Sequence, residues 1–307
     1  GANALKTAYG NAFGIYGLAA YANASGDTAA LSLAQDAFRW LEAHSHDLGR
    51  GGYFQFLEAD GTPLVEGYAG TPPKDQNSSI HLLEAFTELY AVWPDSLVRE
   101  RLAEMLHIVR DTLVSKEGYL RLFFERDWTP VSYRDSTADV REAHYNLDHV
   151  SFGHDVETAF LLLEAAHALG IEEDTTLDVA KRTVDHALQT GWDDRLGGFY
   201  DEGYYFPDST GITIIRETKN WWAQAEALNT FLLMARLFPD DPMDYGGLFE
   251  KQWHYVDTYL IDHEHGGWYD SGLDNDPESR GRPKGHIWKG AYHTARSLMA
   301  VVRGLEE

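Results

Sequence analysis

Three histidines stand in sequence contexts that favour acid–base chemistry in a pocket. His154 lies one helical turn before Glu157, in an apolar stretch whose helix face we expect to be buried. His81 begins a second apolar helical stretch, and His293 stands at the start of the last predicted helix. An imidazole with its ordinary pKa of about 6.5 can accept a proton in one step and return it in the next. Histidines near the N-terminal ends of three separate helices therefore predict one shared site.

Polar and aromatic side chains accompany these histidines at helical spacing. Asn77 precedes His81 by four residues and Trp222 precedes Glu226 by four, so each pair shares an otherwise apolar face. Buried polar groups are costly unless partnered, and a single buried histidine is more often a hydrogen-bonded structural residue; three together favour a site. Glu157 has two interpretations: it orients a histidine or holds substrate hydroxyls, or it is only a capping or salt-bridging carboxylate.

The residues that support other chemistries are missing from the sequence. There is no Cys, which excludes thiolate metal sites and a cysteine nucleophile. None of the three histidines has a second ligand at zinc-site spacing, so we expect no metal. Without a glycine-rich phosphate loop or a Gly-x-Ser-x-Gly motif, we expect neither a phosphate-bearing cofactor nor serine hydrolysis. A glycoside hydrolase would need two carboxylates across the scissile bond, and no acidic pair stands out over the histidines.

The charge balance restricts the partners. Asp and Glu number 49 against 25 Lys and Arg, which gives a formal net charge of -24. This charge repels phosphates and anionic lipid surfaces, so we expect no nucleic-acid or membrane partner. No run approaches the roughly 20 apolar residues that a membrane span requires, and the N-terminus lacks a signal-peptide pattern. We therefore expect a cytoplasmic enzyme with a small-molecule substrate.

The elements that must position these residues are helices. Apolar residues recur at three-to-four spacing and predict nine helices. Their approximate bounds are 7–24, 28–44, 76–93, 96–114, 151–169, 174–189, 219–238, 246–260 and 288–304. Residues 128–148 have mixed polarity with a charged centre, and we expect them to form a long loop over the pocket mouth.

A Gly-Gly-aromatic step recurs between helix pairs and predicts a tight turn or a short strand. It occurs at Gly51-Gly52-Tyr53, Gly197-Gly198-Phe199 and Gly266-Gly267-Trp268, with Gly118-Tyr119 as a weaker copy. Repeats of two helices and a hairpin indicate a helical array or a closed toroid. The repeat runs through the sequence, so we expect a single domain over 1–307. Because the sequence begins almost directly in an apolar helix, we expect the toroid of this domain to be incomplete at its N-terminal end.

At these residues the sequence resembles the N-acylglucosamine 2-epimerase superfamily, most closely its cellobiose 2-epimerase branch. The similarity covers nearly the whole chain, with the motifs in the same order. These motifs are Tyr9-Gly10-Asn11-Ala12-Phe13, Asn77 to Glu84, Leu122 to Trp128, Ser151-Phe152-Gly153-His154-Asp155, Lys219 to Glu226 and Trp288 to His293.

The resemblance implies an all-α (α/α)6 barrel with short β-hairpins, here lacking about three N-terminal helices. It implies deprotonation of an open-chain sugar at C2, a cis-enediolate intermediate and reprotonation on the opposite face, without metal or cofactor. By this resemblance His154 and His293 are the two bases and His81 assists ring opening. The substrate contacts that it implies are Tyr9, Asn77, Glu157, Trp222, Glu226 and Trp288.

Two departures leave alternatives open. We expect no counterpart of the family's N-terminal arginine segment, and we expect an open ring to expose apolar faces that invite self-association. Ser79 stands where the branch often has a further histidine, which weakens the preference for a disaccharide. The expected activity is epimerisation of the reducing-end unit of cellobiose-like disaccharides. The alternatives are a monosaccharide aldose–ketose isomerase, an N-acylhexosamine 2-epimerase, or a sugar-binding or inactive scaffold.

Overall fold

Ten α-helices form the described part of the chain, which comprises residues 4–171 and 174–306 of a computed structural model. The helices are α1 (Ala8–Ser25), α2 (Thr28–His44), α3 (Gln76–Val92), α4 (Ser96–Ile108), α5 (Ala138–Asp148), α6 (Phe152–Leu169), α7 (Asp174–Gly191), α8 (Trp221–Leu237), α9 (Tyr245–Tyr259) and α10 (Tyr292–Glu306). A π-helical turn, Val109–Leu113, extends α4, and a short 3-10 helix spans Pro277–Gly281. None of the described helices is both long and apolar enough to cross a membrane.

Three small antiparallel sheets accompany the helices. The first pairs β1 (Lys6–Thr7) with β2 (Phe56–Leu57), and the second pairs β3 (Lys74–Asp75) with β4 (Phe123–Phe124). The third has β6 (Glu202–Tyr204) between β5 (Val150–Ser151) and β7 (Thr213–Arg216). Because β3 and β5 run directly into α3 and α6, they fix where those two helices begin.

Each of the nine predicted helices corresponds to an observed one. Two predictions were wrong: the loop expected over 128–148 and the start expected for the last helix. The expected loop over 128–148 contains α5, which is mostly exposed and buries only Leu147. A helix with one buried position has a weak apolar periodicity, and its charged residues are compatible with a solvated helical surface. The last helix begins at Tyr292 rather than at 288, because the preceding residues form a turn closed by a bridge between His286 and Lys289.

Side-chain caps define where several helices start. The carboxylates of Asp27, Asp75 and Asp95 accept backbone N–H bonds at the first turns of α2, α3 and α4. Asn220 does the same for α8 by accepting from the Ala223 N–H. Such caps satisfy backbone donors that a helix leaves unbonded at its N-terminus.

The Gly-Gly-aromatic turns are present as the repeat predicts. The aromatic residue closes an antiparallel bridge in each full copy: His46 with Tyr53, Trp192 with Phe199, and Ile261 with Trp268. Both glycines of each pair have positive φ values between 66° and 89°, a conformation that disfavours other residues.

An aspartate–lysine pair holds each full copy of the turn, and in the first two copies the lysine is fully buried. Lys219 Nζ lies 2.7 Å from Asp193 Oδ2 and donates to the Gly197 carbonyl at 2.9 Å. Lys74 makes the equivalent contacts with Asp47 and the Gly51 carbonyl, at 3.2 and 2.7 Å. Lys284 does so with Asp262 and the Gly266 carbonyl. An ammonium group thus neutralises the carboxylate and satisfies a carbonyl inside each turn.

Two compact units divide the chain. Unit 1 is built from the described parts of Gly1–Ser115, Leu120–Asp148 and Leu161–Asp178. Unit 2 is built from those of Lys116–Tyr119, His149–Phe160 and Val179–Glu307. Unit 2 has a core in which α8 and α9 pack around Leu228, Tyr255 and Val256. The expectation of a single domain stays a prediction.

Candidate active site

The clearest acid–base arrangement in unit 2 is the pair formed by His293 and Glu226. His293 opens α10 and Glu226 lies on α8, and the two helices pack against each other. The Nδ1 atom of His293 lies 2.7 Å from Glu226 Oε1. The glutamate is fully buried, whereas the His293 side chain remains 15% exposed. A carboxylate at this distance fixes the proton on Nδ1 and leaves the lone pair on Nε2, the arrangement that a general base requires.

His154, the second candidate base, has a hydroxyl partner instead. Ser151, the last residue of β5, places its Oγ 2.8 Å from His154 Nδ1 in the first turn of α6. A hydroxyl can donate to a neutral imidazole nitrogen or accept from a protonated one, so this contact is compatible with either state of the ring. The adjacent Gly153 permits close packing, because a Cβ there would come within 2.6 Å of Ala223 and Trp222.

Trp222 brings the two histidines into one cluster. Its ring centroid is 4.6 Å from that of His154 and 5.4 Å from that of His293, with tilted planes in both cases. Trp222 is partly exposed near the N-terminus of α8. The indole therefore contacts both imidazoles and fixes their relative position.

Glu157 and Arg296 lie next to the pair formed by His293 and Glu226. Arg296 NH2 is 3.2 Å from Glu157 Oε1 and also bonds Glu226 Oε2, so its guanidinium bridges two fully buried carboxylates. The Glu157 Oε1 atom is 3.8 Å from His293 Nδ1. Arg296 packs against the rings of Phe160 and Tyr292, which shield it from water.

These groups also offer a possible arrangement of metal ligands. Glu157, Glu226 and His293 provide three ligand atoms within 4.8 Å of one another. The Arg296 guanidinium already bridges both carboxylates and supplies the positive charge that a cation would bring. The expectation of a metal-free enzyme stays a prediction.

His81 lies in unit 1 with its own partners. It is 3% exposed, and its Nδ1 is 3.2 Å from Glu84 Oε2 on the same helix. The rings of Tyr9 and Phe13 on α1 contact it, at centroid distances of 5.3 and 4.8 Å. Asn77 is partly exposed one turn earlier on α3. Three of the residues expected to contact sugar, Tyr9, Asn77 and His81, therefore occupy neighbouring turns of α1 and α3.

Trp288 is displayed by the turn that precedes α10. Its side chain is largely exposed, at 67%. The next residue, Lys289, points the other way: it is buried, donates from Nζ to the Trp268 carbonyl at 2.9 Å and lies over the Trp221 ring. Burial lowers the pKa of Lys289 to about 8. The lysine thus anchors the turn that leaves Trp288 accessible to a ligand.

Two candidate residues, Ser151 and Arg296, were not predicted from the sequence. Ser151 stands inside the Ser-Phe-Gly-His-Asp motif, three residues before His154, a spacing that could have suggested a contact. Arg296 lies three residues after His293 on the same helix, and this spacing places both on one face. Their partners on α6 and α8 are distant in sequence, so no local pattern indicates those contacts.

Comparisons with known proteins identify relatives of this chain. A cellobiose 2-epimerase of Bacteroides fragilis is 28% identical over 304 residues, which cover 97% of this chain and 71% of that protein. The solved structure of a cellobiose 2-epimerase from Spirochaeta thermophila is 31% identical with a TM-score of 0.81, over 98% of this chain and 71% of that one. A D-mannose isomerase of Thermobifida fusca is 26% identical over 230 residues, 74% of this chain and 54% of that protein.

These relatives support a sugar epimerase, and the enzyme class is that of the carbohydrate isomerases and epimerases. The sequence profile described as N-acylglucosamine 2-epimerase (GlcNAc 2-epimerase) matches residues 1–297, and the chain belongs to that family. The predicted family, the (α/α)6-barrel fold class and the enzyme class are thereby confirmed.

Proposed function

We propose that the chain is a sugar 2-epimerase that interconverts the reducing-end glucose and mannose units of cellobiose-like β-1,4-linked disaccharides. The observation that carries this proposal is the cluster in which Trp222 contacts both His154 and His293 while a polar partner holds each Nδ1. Two acid–base groups in one cluster suit the inversion of a carbon centre that carries an exchangeable proton. The cellobiose 2-epimerase relatives support the choice of substrate.

In the proposed first step, His293 removes the C2 proton of the open-chain glucose unit. Glu226 holds the proton on Nδ1, so the lone pair on Nε2 takes the C2 proton. The electrons of the C2–H bond form the C1–C2 double bond, and those of the carbonyl π bond move to its oxygen. The product of this step is a planar cis-enediolate beside an imidazolium whose charge faces Glu226.

In the second step, a protonated His154 returns a proton to C2 from the opposite face. The electrons move back to restore the carbonyl, and C2 is inverted to the mannose configuration. The Nδ1–H of His154 donates to Ser151 in the protonated ring and still does so after Nε2 has given its proton to C2, so the ring keeps this hydrogen bond in both states. The two imidazoles have then exchanged protonation states, and solvent resets them before the next turnover. The reverse reaction uses them in the opposite roles.

The remaining candidates are assigned to the sugar. His81, hydrogen-bonded to Glu84, assists ring opening and holds the substrate. Tyr9, Asn77 and Trp288 supply stacking and hydrogen-bonding surfaces, since flat C–H faces of sugars pack on aromatic rings. Trp222, Glu157 and Glu226 are assigned to the part of the site that holds C1 and C2 of the open-chain sugar.

A second candidate function is a monosaccharide aldose–ketose isomerase, and an N-acylhexosamine 2-epimerase remains within the same chemistry. The D-mannose isomerase relative favours the isomerase, and Ser79 weakens the disaccharide preference. An isomerase moves a proton between C1 and C2 on one face, for which one base suffices. A sugar-binding protein without catalysis is the candidate from another class.

The test is incubation of the chain with cellobiose, and separately with mannose, in D₂O, followed by proton NMR of C2. Epimerisation by two bases predicts deuterium at C2 of the glucosyl-mannose product, while unreacted cellobiose keeps its C2 proton at early times. Formation of a ketose from mannose, without any change in cellobiose, would favour the isomerase. Calorimetric binding of cellobiose without exchange would indicate the sugar-binding protein.

Histidine variants then test the two-base assignment. His154→Ala and His293→Ala should each abolish epimerisation and leave the far-UV circular dichroism unchanged. His263→Ala is the matched control, because His263 is 65% exposed and lies outside the cluster. Substantial epimerisation in either cluster variant contradicts the assignment.

A further inference from the structure

A short turn carries the exposed Trp288 in unit 2, and hydrogen bonds fix the backbone of this turn. The backbone N–H of Lys289 donates to the His286 carbonyl at 3.0 Å, which closes the turn. Inside the turn, the backbone N–H of Trp288 donates to the Nδ1 atom of His286 at 3.2 Å. The His286 side chain therefore binds the backbone two residues further on, as an Asn or Asp side chain does in an Asx-turn. This ring holds the backbone from which the Trp288 side chain projects.

Asp270 determines which nitrogen of His286 can accept the bond from Trp288. A neutral imidazole has one N–H and one lone pair, and only the nitrogen without the proton accepts from a backbone N–H. The Nε2 atom of His286 lies 2.8 Å from Asp270 Oδ1, so the carboxylate holds the proton on Nε2 and leaves the lone pair on Nδ1. The carboxylate thus supports the bond to Trp288 through the ring that lies between them.

The same ring attaches the turn to the start of α8. Its centroid lies 5.4 Å from that of Trp221, with the two planes at 89°, which is an edge-to-face contact. Trp221 is buried and is the first residue of α8. The next residue, Trp222, contacts both His154 and His293 of the candidate site. His286 therefore connects the turn that carries Trp288 to the end of the helix that carries Trp222.

We propose that His286, with its tautomer fixed by Asp270, is a positioning residue that holds Trp288 in place for the sugar. This inference rests on the proposed function, which assigns Trp288 to the substrate. A tryptophan on a fixed backbone loses less conformational freedom on binding than one on a mobile turn. His286 therefore sets the affinity for sugar, and the proton transfers at C2 stay with His154 and His293. The His286 and Asp270 side chains are 36% and 25% exposed, so their replacement should change the turn and leave the core folded.

The test is the affinity for sugar of variants of His286 and Asp270. His286→Ala should raise KM for C2 exchange in cellobiose, and the calorimetric Kd for cellobiose, by about three- to tenfold, because one more side chain must be immobilised on binding. The value of kcat should not change. His286→Asn keeps an acceptor for the backbone N–H, as in an Asx-turn, and should restore most of the wild-type affinity. Asp270→Ala leaves the tautomer unfixed and should give a smaller loss. His254→Ala, at an exposed position on α9, is the matched control.

A double-mutant cycle with Trp288→Ala determines whether the effect passes through the tryptophan. Trp288→Ala should weaken binding at least as much as His286→Ala, and the double variant should bind no more weakly than Trp288→Ala alone. A purely structural role for His286 would instead weaken binding by the same factor in both backgrounds. Fluorine NMR of the chain labelled with fluorotryptophan needs no sugar. The resonance that Trp288→Phe removes should shift or broaden in His286→Ala and recover in His286→Asn.

The outcomes for this inference and for the proposed function differ. A wild-type chain that binds cellobiose without C2 exchange overturns the proposed function, and the calorimetric series still decides the role of His286. The inference is overturned by an unchanged Kd in His286→Ala, by an equal further loss in the Trp288→Ala background, or by the lack of rescue in His286→Asn. A wild-type chain that binds neither cellobiose nor mannose overturns both.

Discussion

Replacing Lys219 by Met should destabilise the Gly197-Gly198-Phe199 turn, which this lysine holds. Its Nζ lies 2.7 Å from Asp193 and 2.9 Å from Asp274, and these carboxylates are only 8% and 3% exposed. Burial acts to raise the pKa of Asp193, but hydrogen bonds from Lys219 and two backbone N–H groups lower it below the usual value. The wild-type chain therefore gains stability from the ionised aspartate above its unfolded pKa and loses it as the pH falls through the folded one.

The size of the loss follows from the two carboxylates left without a cation. Breaking a buried pair by removing one partner costs about 3–5 kcal/mol. The variant can escape by protonating one aspartate, which at pH 7 costs about 4 kcal/mol for an ordinary pKa of about 3.9. At pH 5 the same protonation costs only about 1.5 kcal/mol. The gap in the free energy of unfolding between wild type and variant should thus be near 4 kcal/mol at pH 7 and shrink on acidification.

Urea denaturation followed by tryptophan fluorescence at both pH values measures this gap. At pH 7 the midpoint for Lys219→Met should fall by about 1 M or more. Lys116→Met removes the same charge from an exposed position and should change stability by less than about 0.5 kcal/mol. A loss below about 1 kcal/mol at pH 7, or a gap that widens at pH 5, would show that the buried carboxylates do not depend on Lys219 for charge compensation.

Three further predictions concern the site and the first turn. Glu226→Gln keeps a hydrogen bond to His293 but removes the charge that stabilises its imidazolium, so the rate of C2 exchange should fall by about 10²–10⁴-fold with unchanged circular dichroism. Trp222→Phe retains an aromatic ring but loosens both imidazole contacts, and a fall of about 10²-fold in kcat with little change in helix content is expected. Gly52→Ala places a Cβ 2.4 Å from Trp128 at a φ of 66°, so it should lower the urea midpoint much more than Gly26→Ala, where φ is 73° and nothing lies within 4 Å.

The spacing of apolar residues predicted the helices that bury an apolar face. It did not predict α5, which buries almost none of its surface. The segment that forms α5 buries only Leu147, so its charged sequence read as a loop. The Gly-Gly-aromatic turns were predictable because positive φ selects glycine. The lysines that hold them were not, since Lys74 and Lys219 are distant in sequence from Asp47 and Asp193 and no local pattern links them.

For the candidate site, the sequence indicated residue types but not which side chains contact each other. Helical spacing placed Glu157 on the face of His154, and the described contacts put it against Arg296 and His293 as well. The partner at His154 Nδ1 is Ser151, which lies on the strand before the helix. Only the packing of α10 against α8 brings Glu226 to His293, and the sequence carries no signal of that contact.

Hydrogen bonds connect the Gly197-Gly198-Phe199 turn to α8, the helix that carries Trp222 and Glu226 of the candidate site. Gln224 on α8 accepts from the backbone N–H of Phe199 and donates to its carbonyl, both at 2.9 Å, so it binds the turn to the helix. Lys219 ties the same turn to the residues just before α8. Two independent contacts thus fix the start of this helix, where Trp222 and Glu226 lie. A buried helix with only apolar contacts could rotate or shift by a fraction of an ångström, and a general base tolerates little such error. The polar residues inside this core therefore define the direction in which Trp222 and Glu226 point, which accounts for their presence in a region where burial alone would favour apolar side chains.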